Sequence, residues 1–288
     1  MSVWFSAGFA IAGAATELTA GAASRASNVT TVLLWSAPSA LATAVIAAQL
    51  VPGPTTAESI WFGLFAGLVG GAALPLAFRA LAIGPIGVVA SLIACTSTIA
   101  LGTVGIVTEG APSAGVWVGM ALCLVALVSL GRRRVEPKSL RTGAEGVAGS
   151  IRPAALLLAV GAGLGYAGFT LLMSLSQQGD PSGLALVAAR FAVLVVACCL
   201  PLLTGMPRRP TIGIAALSVS AGVLDVAGNL FLLAALATTP LITVAIVGAT
   251  TPGLAAVGAA ILLKERLTAW QIGGIAMAGV GAILAATA

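Results

Sequence analysis

Ten apolar stretches, each about as long as a bilayer-spanning helix, follow one another along the 288 residues of the chain. Roughly 20 consecutive apolar residues cross the hydrocarbon core of a membrane as an α-helix. The pattern therefore predicts an all-α integral membrane protein of ten transmembrane helices joined by short loops. We number them spans 1 to 10, at residues 3–22, 29–51, 59–82, 85–107, 113–131, 152–176, 182–204, 211–237, 240–262 and 268–287.

Composition excludes most other classes of protein. Hydrophobic residues make up 59% of the chain and charged residues 7%, which leaves too little polar surface for a water-soluble globule. Histidine is absent, and all four cysteines lie inside apolar stretches, where a thiol is usually a packing residue. We therefore expect no metal site and no enzyme. An intramembrane enzyme, which would need a nucleophile, a base and an oxyanion site together, and a purely structural membrane subunit are the alternatives from other classes.

Basic residues are distributed unevenly among the loops. Twelve of the 13 Lys and Arg residues lie in or beside the loops after spans 1, 3, 5, 7 and 9, whereas the alternate loops carry Glu58, Glu109 and Asp180. Positively charged loops stay in the cytoplasm, so we expect a multi-pass protein of the cytoplasmic (inner) membrane with both termini outside. The basic stretch at 132–151 is then a cytoplasmic linker facing anionic lipid. It lacks interleaved aromatic residues, so we expect no nucleic-acid partner.

The two halves of the chain resemble each other at an offset of 155 residues. The pattern Ala-Leu-Ala-x-x-Pro at 80–85 recurs at 235–240, and the same offset aligns spans 1, 3, 4 and 5 with spans 6, 8, 9 and 10. We therefore expect two five-helix repeats, at 1–131 and 152–288, on either side of the linker. Because five is odd, the second repeat must enter the membrane inverted, an arrangement typical of secondary transporters.

Several segments resemble the ten-helix EamA-type members of the drug/metabolite transporter superfamily. These segments are Ala235 to Pro240, Thr251-Pro252, Lys264 to Thr268, Gln271 to Gly274 and, in weaker form, Arg79 to Pro85 and Glu109 to Pro112. The resemblance covers essentially the whole chain. It implies ten helices around a central cavity that exports or exchanges small metabolites, commonly amino acids, without a cofactor. A small-molecule substrate and the lipid bilayer are the expected partners, and we expect a monomer.

Three ionisable residues lie within the spans: Glu17 in span 1, Arg190 in span 7 and Asp225 in span 8. A lone charge in hydrocarbon costs about 2.5–3.5 kcal/mol on insertion scales, so each should face a partner or a water-filled cavity. For Glu17 we expect a structural ion pair with Arg25 or Arg79, with substrate contact as the alternative.

Arg190 and Asp225 lie on consecutive antiparallel spans and could meet. They would then form a structural ion pair or, in a wet cavity, bind the carboxylate and ammonium of a zwitterion. Asn229 follows Asp225 by four residues and should share its helix face. Asp225 is also the central acid that proton coupling would need, although uncoupled transport is equally compatible with the sequence.

Four polar residues complete the predicted cavity lining beside Arg190 and Asp225: Tyr166, Asn229, Ser97 and Thr251. Pro252 should kink span 9, either toward this cavity or for packing alone. Our leading hypothesis is alternating-access export of small neutral or zwitterionic metabolites, with amino acids as the first substrates to test. An uptake carrier and a multidrug exporter remain open alternatives, because a sparse and mostly apolar lining suits all three.

Overall fold

Helices account for the regular structure throughout the described part of the chain. The computed structural model describes residues 2–50, 56–83, 86–131, 153–177, 183–204, 209–262 and 267–288. These residues form eleven helices: α1 (Ser2–Ala26), α2 (Val29–Leu50), α3 (Ala57–Ile83), α4 (Ile86–Glu109), α5 (Ala114–Gly131), α6 (Pro153–Leu175), α7 (Gly183–Thr204), α8 (Ile212–Leu236), α9 (Leu241–Gly248), α10 (Thr251–Leu262) and α11 (Ala269–Thr287). The all-α prediction is confirmed. The predicted linker at 132–151 lies outside the described residues.

Length and hydropathy identify a multi-pass membrane protein. Among the described residues, eight segments are long and apolar enough to cross a membrane, and α5 is a shorter apolar helix. The segment Leu241–Ile261 counts as one of the eight although it contains both α9 and α10. Helix α1 has 25 residues and is long enough as well. It is less apolar, because Ala and Gly dominate it and Glu17 lies inside it. With α1 included, the described helices correspond to the ten predicted spans.

Span 9 is interrupted two residues before Pro252. Helix α9 ends at Gly248 and α10 begins at Thr251. Proline has no backbone N–H, so a regular helix cannot continue its hydrogen-bond ladder through this position. The Thr250 backbone N–H instead donates to the carbonyl oxygen of Val247 at 3.0 Å, and the Thr250 hydroxyl donates to the same oxygen at 2.7 Å. The predicted kink is therefore present as a break between two helices.

Local capping explains where α11 begins. The Thr268 hydroxyl accepts a hydrogen bond from the Gln271 N–H at 3.3 Å, and the Gln271 side-chain oxygen accepts one from the Thr268 N–H at 3.0 Å. This reciprocal pair is a capping box, which satisfies donors that the first turn of a helix leaves unpaired. Thr268 and Gln271 belong to two of the segments noted in the sequence. Their capping box sets the start of the last helix.

Close contacts at glycines reveal the relative directions of the helices. Helices α3 and α6 are antiparallel, because a Cβ built on Gly165 would lie 2.6 Å from Cβ of Ala73, while one on Gly161 would lie 3.5 Å from Leu76. Helices α1 and α8 are antiparallel in the same way. Gly8 faces Phe231, and Gly228 faces Ala12. Small residues allow this close approach between helices in lipid.

The α7 helix runs parallel to α3. Gly63 lies directly against the carbonyl of Ala185, and Gly67 one turn later lies against the carbonyl of Ala189. Consecutive helices joined by short loops alternate in direction, so α1 and α3 run the same way. Since α6 runs opposite to α3, it also runs opposite to α1. The helices from α6 onward therefore pass through the bundle in the reverse sense of their counterparts in the first half.

Candidate functional site

An ion pair joins α7 and α8 inside the bundle. Nη1 of Arg190 lies 2.5 Å from Oδ2 of Asp225. The Arg190 side chain is 6% exposed and that of Asp225 is 36% exposed, so the cation is enclosed while the carboxylate borders open space. The structure thus brings together the two residues that the sequence placed on consecutive spans. Partial exposure of Asp225 means that protein groups do not fully enclose this pair.

Asn229 supports the carboxylate of Asp225 from one helical turn away. Its Nδ2 donates to Oδ1 of Asp225 at 3.1 Å and to the Asp225 carbonyl oxygen at 2.7 Å. The i, i+4 spacing places both side chains on one face of α8, as expected. Asn229 itself is buried. Asp225 is thereby held between the Arg190 guanidinium on one oxygen and the Asn229 amide on the other.

The donors Nε and Nη2 of Arg190 have no hydrogen-bond partner among the described residues. Both atoms are buried. The guanidinium carbon lies 5.8 Å from the centre of the Phe169 ring on α6, which is within the range of a cation–π interaction. Sequence reasoning did not single out Phe169. Its only sequence signal is a position three residues after Tyr166, which places both on neighbouring parts of one helix face.

Glu17 and Tyr166 lie near Asp225. Tyr166 is within electrostatic range of both the Glu17 and the Asp225 carboxylates. The Glu17 side chain is exposed, and that of Tyr166 is half-buried. The α1 and α8 register, with Ala12 beside Gly228, independently puts Glu17 at about the height of Asp225. Three elements therefore bring acidic and aromatic groups to one central region.

Arg79 does not join this region. It is exposed and lines a groove of about 520 Å³ together with Ile83 and the first turns of α6, including Leu157 and Leu158. The described residues form no ion pair between Glu17 and Arg79, and the side chain of Arg25 lies outside them. In the described structure, Glu17 is an acid without a cationic partner.

The other two predicted lining residues lie on helices that flank the centre. Thr251 begins α10 and packs against α1, since a Cβ on Gly13 would lie 3.3 Å from its Cγ2 atom. Gly13 is one turn before Glu17, so Thr251 lies near Glu17. Ser97 is partly exposed on α4, where its hydroxyl donates to the Ala94 carbonyl at 3.0 Å. No contact between Ser97 and the Arg190 group is present among the described residues.

Helices α4 and α9 are in contact at one end of the bundle. Oε1 of Glu109, the last residue of α4, accepts a hydrogen bond from the Leu241 N–H at 2.8 Å. Gly105 lies against Ile242 one turn away. Beyond the break, α10 packs mainly against α1 rather than α4. Sequence reasoning treated Glu109 as a loop acid and did not predict this contact.

A separate cavity of about 360 Å³ lies between α1, α9, α10 and α11. Its lining is almost entirely apolar and includes Ile11 and Ile283, both exposed on the bundle surface. Such a groove suits a lipid chain better than a polar solute. Within the described ranges, no three His, Cys, Asp or Glu side chains come together as metal ligands would. The charged group around Arg190 is therefore the better candidate for recognition of a solute.

Comparison with known proteins identifies the second half of the chain. Residues 153–287 match the model of the EamA-like transporter family. A search of curated proteins found no match. A solved structure described only as "Crystal structure of protein" has a TM-score of 0.74 and 15% sequence identity, and the alignment covers 98% of this chain and 95% of the other. At this identity the likeness shows the fold alone. The second half of the chain, at residues 153–287, is therefore similar to the EamA-like transporter family.

Proposed function

We propose that the protein is a secondary transporter that exports small neutral or zwitterionic metabolites through a central cavity, with amino acids as the substrate class. The observation that carries this proposal is the group of charged and polar side chains inside the bundle. Arg190, Asp225 and Asn229 interact directly, and Glu17 and Tyr166 lie close by. Ionisable residues at membrane depth are costly and are typical of substrate or ion pathways. One cation with two acids matches the opposite charges of a zwitterion.

An inverted duplication supports transport by alternating access. The reversed direction of α6 relative to α1 is what two inverted five-helix repeats require. Cys123 and Ala278 are 155 residues apart, and Sγ of Cys123 lies 3.6 Å from the Ala278 carbonyl oxygen. Residues at equivalent positions of two repeats meet in this way beside a two-fold axis. We take residues 1–131 and 152–288 as the repeats, with the 132–151 linker between them.

Closure at the Glu109 end indicates which state of the cycle is represented. The positive-inside rule assigns that end to the outside, so contact between α4 and α9 would seal the outer face. The break before Pro252 lets α10 diverge from α4 toward α1 on the cytoplasmic side. We therefore interpret the structure as closed to the outside. Discontinuous helices of this kind are common where transporters bind their substrates.

Counterflow in proteoliposomes tests the proposal directly. Purified protein reconstituted with unlabelled amino acid inside should accumulate the same radiolabelled amino acid from outside. We expect counterflow for at least one member of the 20-amino-acid panel, and none in vesicles without protein. A pH gradient applied in parallel shows whether transport is coupled to protons. Failure of every amino acid would refute the substrate class, and a panel of cationic drugs would then test the multidrug alternative.

A further inference from the structure

Arg190 presents an unoccupied pair of parallel hydrogen-bond donors. A guanidinium group has five N–H bonds in a fixed plane, and it can bind a carboxylate with two of them side by side. One carboxylate oxygen of Asp225, Oδ2, forms the ion pair with Nη1. The two atoms without partners, Nε and Nη2, belong to one edge of the guanidinium, and their N–H bonds point the same way. The unfilled donors thus form one complete bidentate edge.

No protein group in the described part of the chain satisfies this edge. Buried polar atoms are nearly always paired, so two buried donors on one cation require an explanation. The surroundings are mainly apolar: the side chains next to Arg190 along α7 and α8 belong to a core cluster that includes Leu186, Ala189 and Val226, with Phe169 packed against it. Asp225 is already held by Arg190 and Asn229 through different oxygens. An acceptor from outside the protein is the chemical group that would complete the site.

We propose that the Nε and Nη2 edge of Arg190 binds a carboxylate group of the transported substrate, while Asp225 holds the guanidinium in position through Nη1. This assignment rests on the proposed transport function and specifies the part of the substrate that the site recognises. Arg190 is then a specificity-determining residue. Its ion pair with Asp225 is retained in the substrate-bound state. The carboxylate would complete a buried triad in which two anions share one cation.

Phe169 packs beside this guanidinium. Its ring lies beside the guanidinium and also against α3, where a Cβ built on Gly70 would lie 2.9 Å from its Cδ2 atom. Nε and Nη2 are sealed from water in this arrangement. A carboxylate therefore reaches them only after Phe169 or its helix shifts, as expected for a site that is occluded in one state of an alternating-access cycle.

Substitution of Arg190 by Lys tests the bidentate edge independently of the ion pair. Lysine keeps the positive charge and can still contact Asp225, but it cannot offer two parallel donors to a second carboxylate. The matched control is Arg209→Lys, which makes the same chemical change at an exposed position just before α8. Thermal unfolding in detergent is measured for the parent and both variants with L-amino acids and with the corresponding amino-acid amides. The amides keep the ammonium and side chain and lack the carboxylate.

We expect at least one L-amino acid to raise the Tm of the parent and of Arg209→Lys by several degrees at saturation, because ligand binding stabilises the folded state. The parent should bind the corresponding amide at least about tenfold more weakly than the acid. The Arg190→Lys variant should bind the acid and the amide with similar affinities. Equal stabilisation by acid and amide in the parent would overturn the proposal. So would an Arg190→Lys variant that keeps the parent's preference for the acid.

The assay separates this inference from the proposed function. If Arg190→Lys does not fold, the acid and amide comparison in the parent decides alone. If amino acids stabilise the parent selectively but show no counterflow, the transport proposal fails and carboxylate recognition stands. If counterflow occurs and the amides compete for it as well as the acids do, transport stands and recognition of the carboxylate by Arg190 is wrong. If no acid in the panel stabilises the parent more than its amide, the inference is also wrong.

Discussion

Glu109 at the end of α4 accepts a hydrogen bond of 2.8 Å from the backbone N–H of Leu241, the first residue of α9. The residue before Leu241 is Pro240, which provides no side-chain cap for this helix. The first N–H groups of a helix need acceptors, and the helix dipole favours a negative charge there. Glu109 therefore caps α9 from a different helix and holds α4 and α9 together.

Replacing Glu109 by Ala should open this end of the bundle. Loss of a helix cap costs about 0.5–2 kcal/mol, so we expect a modest fall in Tm. The sharper readout is a cysteine at Ala245, which is buried on α9 next to α4, in a background whose native cysteines are replaced by Ala. Glu109→Ala should speed its labelling by a membrane-impermeant maleimide added to intact cells. Glu58→Ala, an exposed acid in the first turn of α3, is the control, and equal labelling rates in both variants would contradict the prediction.

Removing one partner of the Arg190 and Asp225 ion pair should destabilise the protein. Asp225→Asn leaves an enclosed guanidinium without a counter-charge, at a cost of about 3 kcal/mol, the low end for buried pairs because Asp225 is 36% exposed. The double variant Arg190→Met, Asp225→Asn should recover much of this loss, since no charge is then left unpaired. It should nevertheless fail to transport a carboxylated substrate. Thermal unfolding and counterflow of both variants beside the parent check this, and a double variant that transports like the parent would refute the assigned role of Arg190.

Glu17 is a better candidate for proton coupling than Asp225, which the sequence alone favoured. Asp225 is held by Arg190 and Asn229, whereas Glu17 is exposed and has no cationic partner among the described residues. We expect Glu17→Gln to leave Tm unchanged or slightly raised, because it removes an ionisable group from a membrane-spanning helix. If transport is driven by a pH gradient, the variant should lose that response. Glu58→Gln serves as control, and a Glu17→Gln variant that keeps the full pH response would assign coupling to another residue.

The orientation in the membrane follows from the loop charges and can be tested in intact cells. A single cysteine placed beside Asp180 should react with a membrane-impermeant maleimide, and one placed beside Lys138 should not. Both positions fall between spans predicted from the sequence, so the comparison depends on the side of the membrane more than on burial. Permeabilised cells provide the control, because both positions should then react. Labelling at Lys138 alone in intact cells would reverse the topology.

The sequence by itself determined the features that depend on local chemistry. The cost of placing polar backbone and charges in hydrocarbon acts on each stretch of about 20 residues separately, so the helical spans could be located from hydropathy. The break in span 9 was predictable because Pro252 lacks a backbone N–H wherever it lies in a helix. The shared face of Asp225 and Asn229 follows from the helical repeat alone.

Tertiary structure decided which of these groups meet. Arg190 and Asp225 could have met or remained apart on consecutive helices, and Phe169 and Glu109 gave no local signal of their contacts. Glu17 was expected beside Arg25 or Arg79. Arg79 lies against α6, and the Arg25 side chain is outside the described residues. Such contacts depend on the rotation, tilt and register of each helix. In lipid these are set by small residues spread over several helices, such as Gly67 against Ala189, and no single stretch of sequence encodes them.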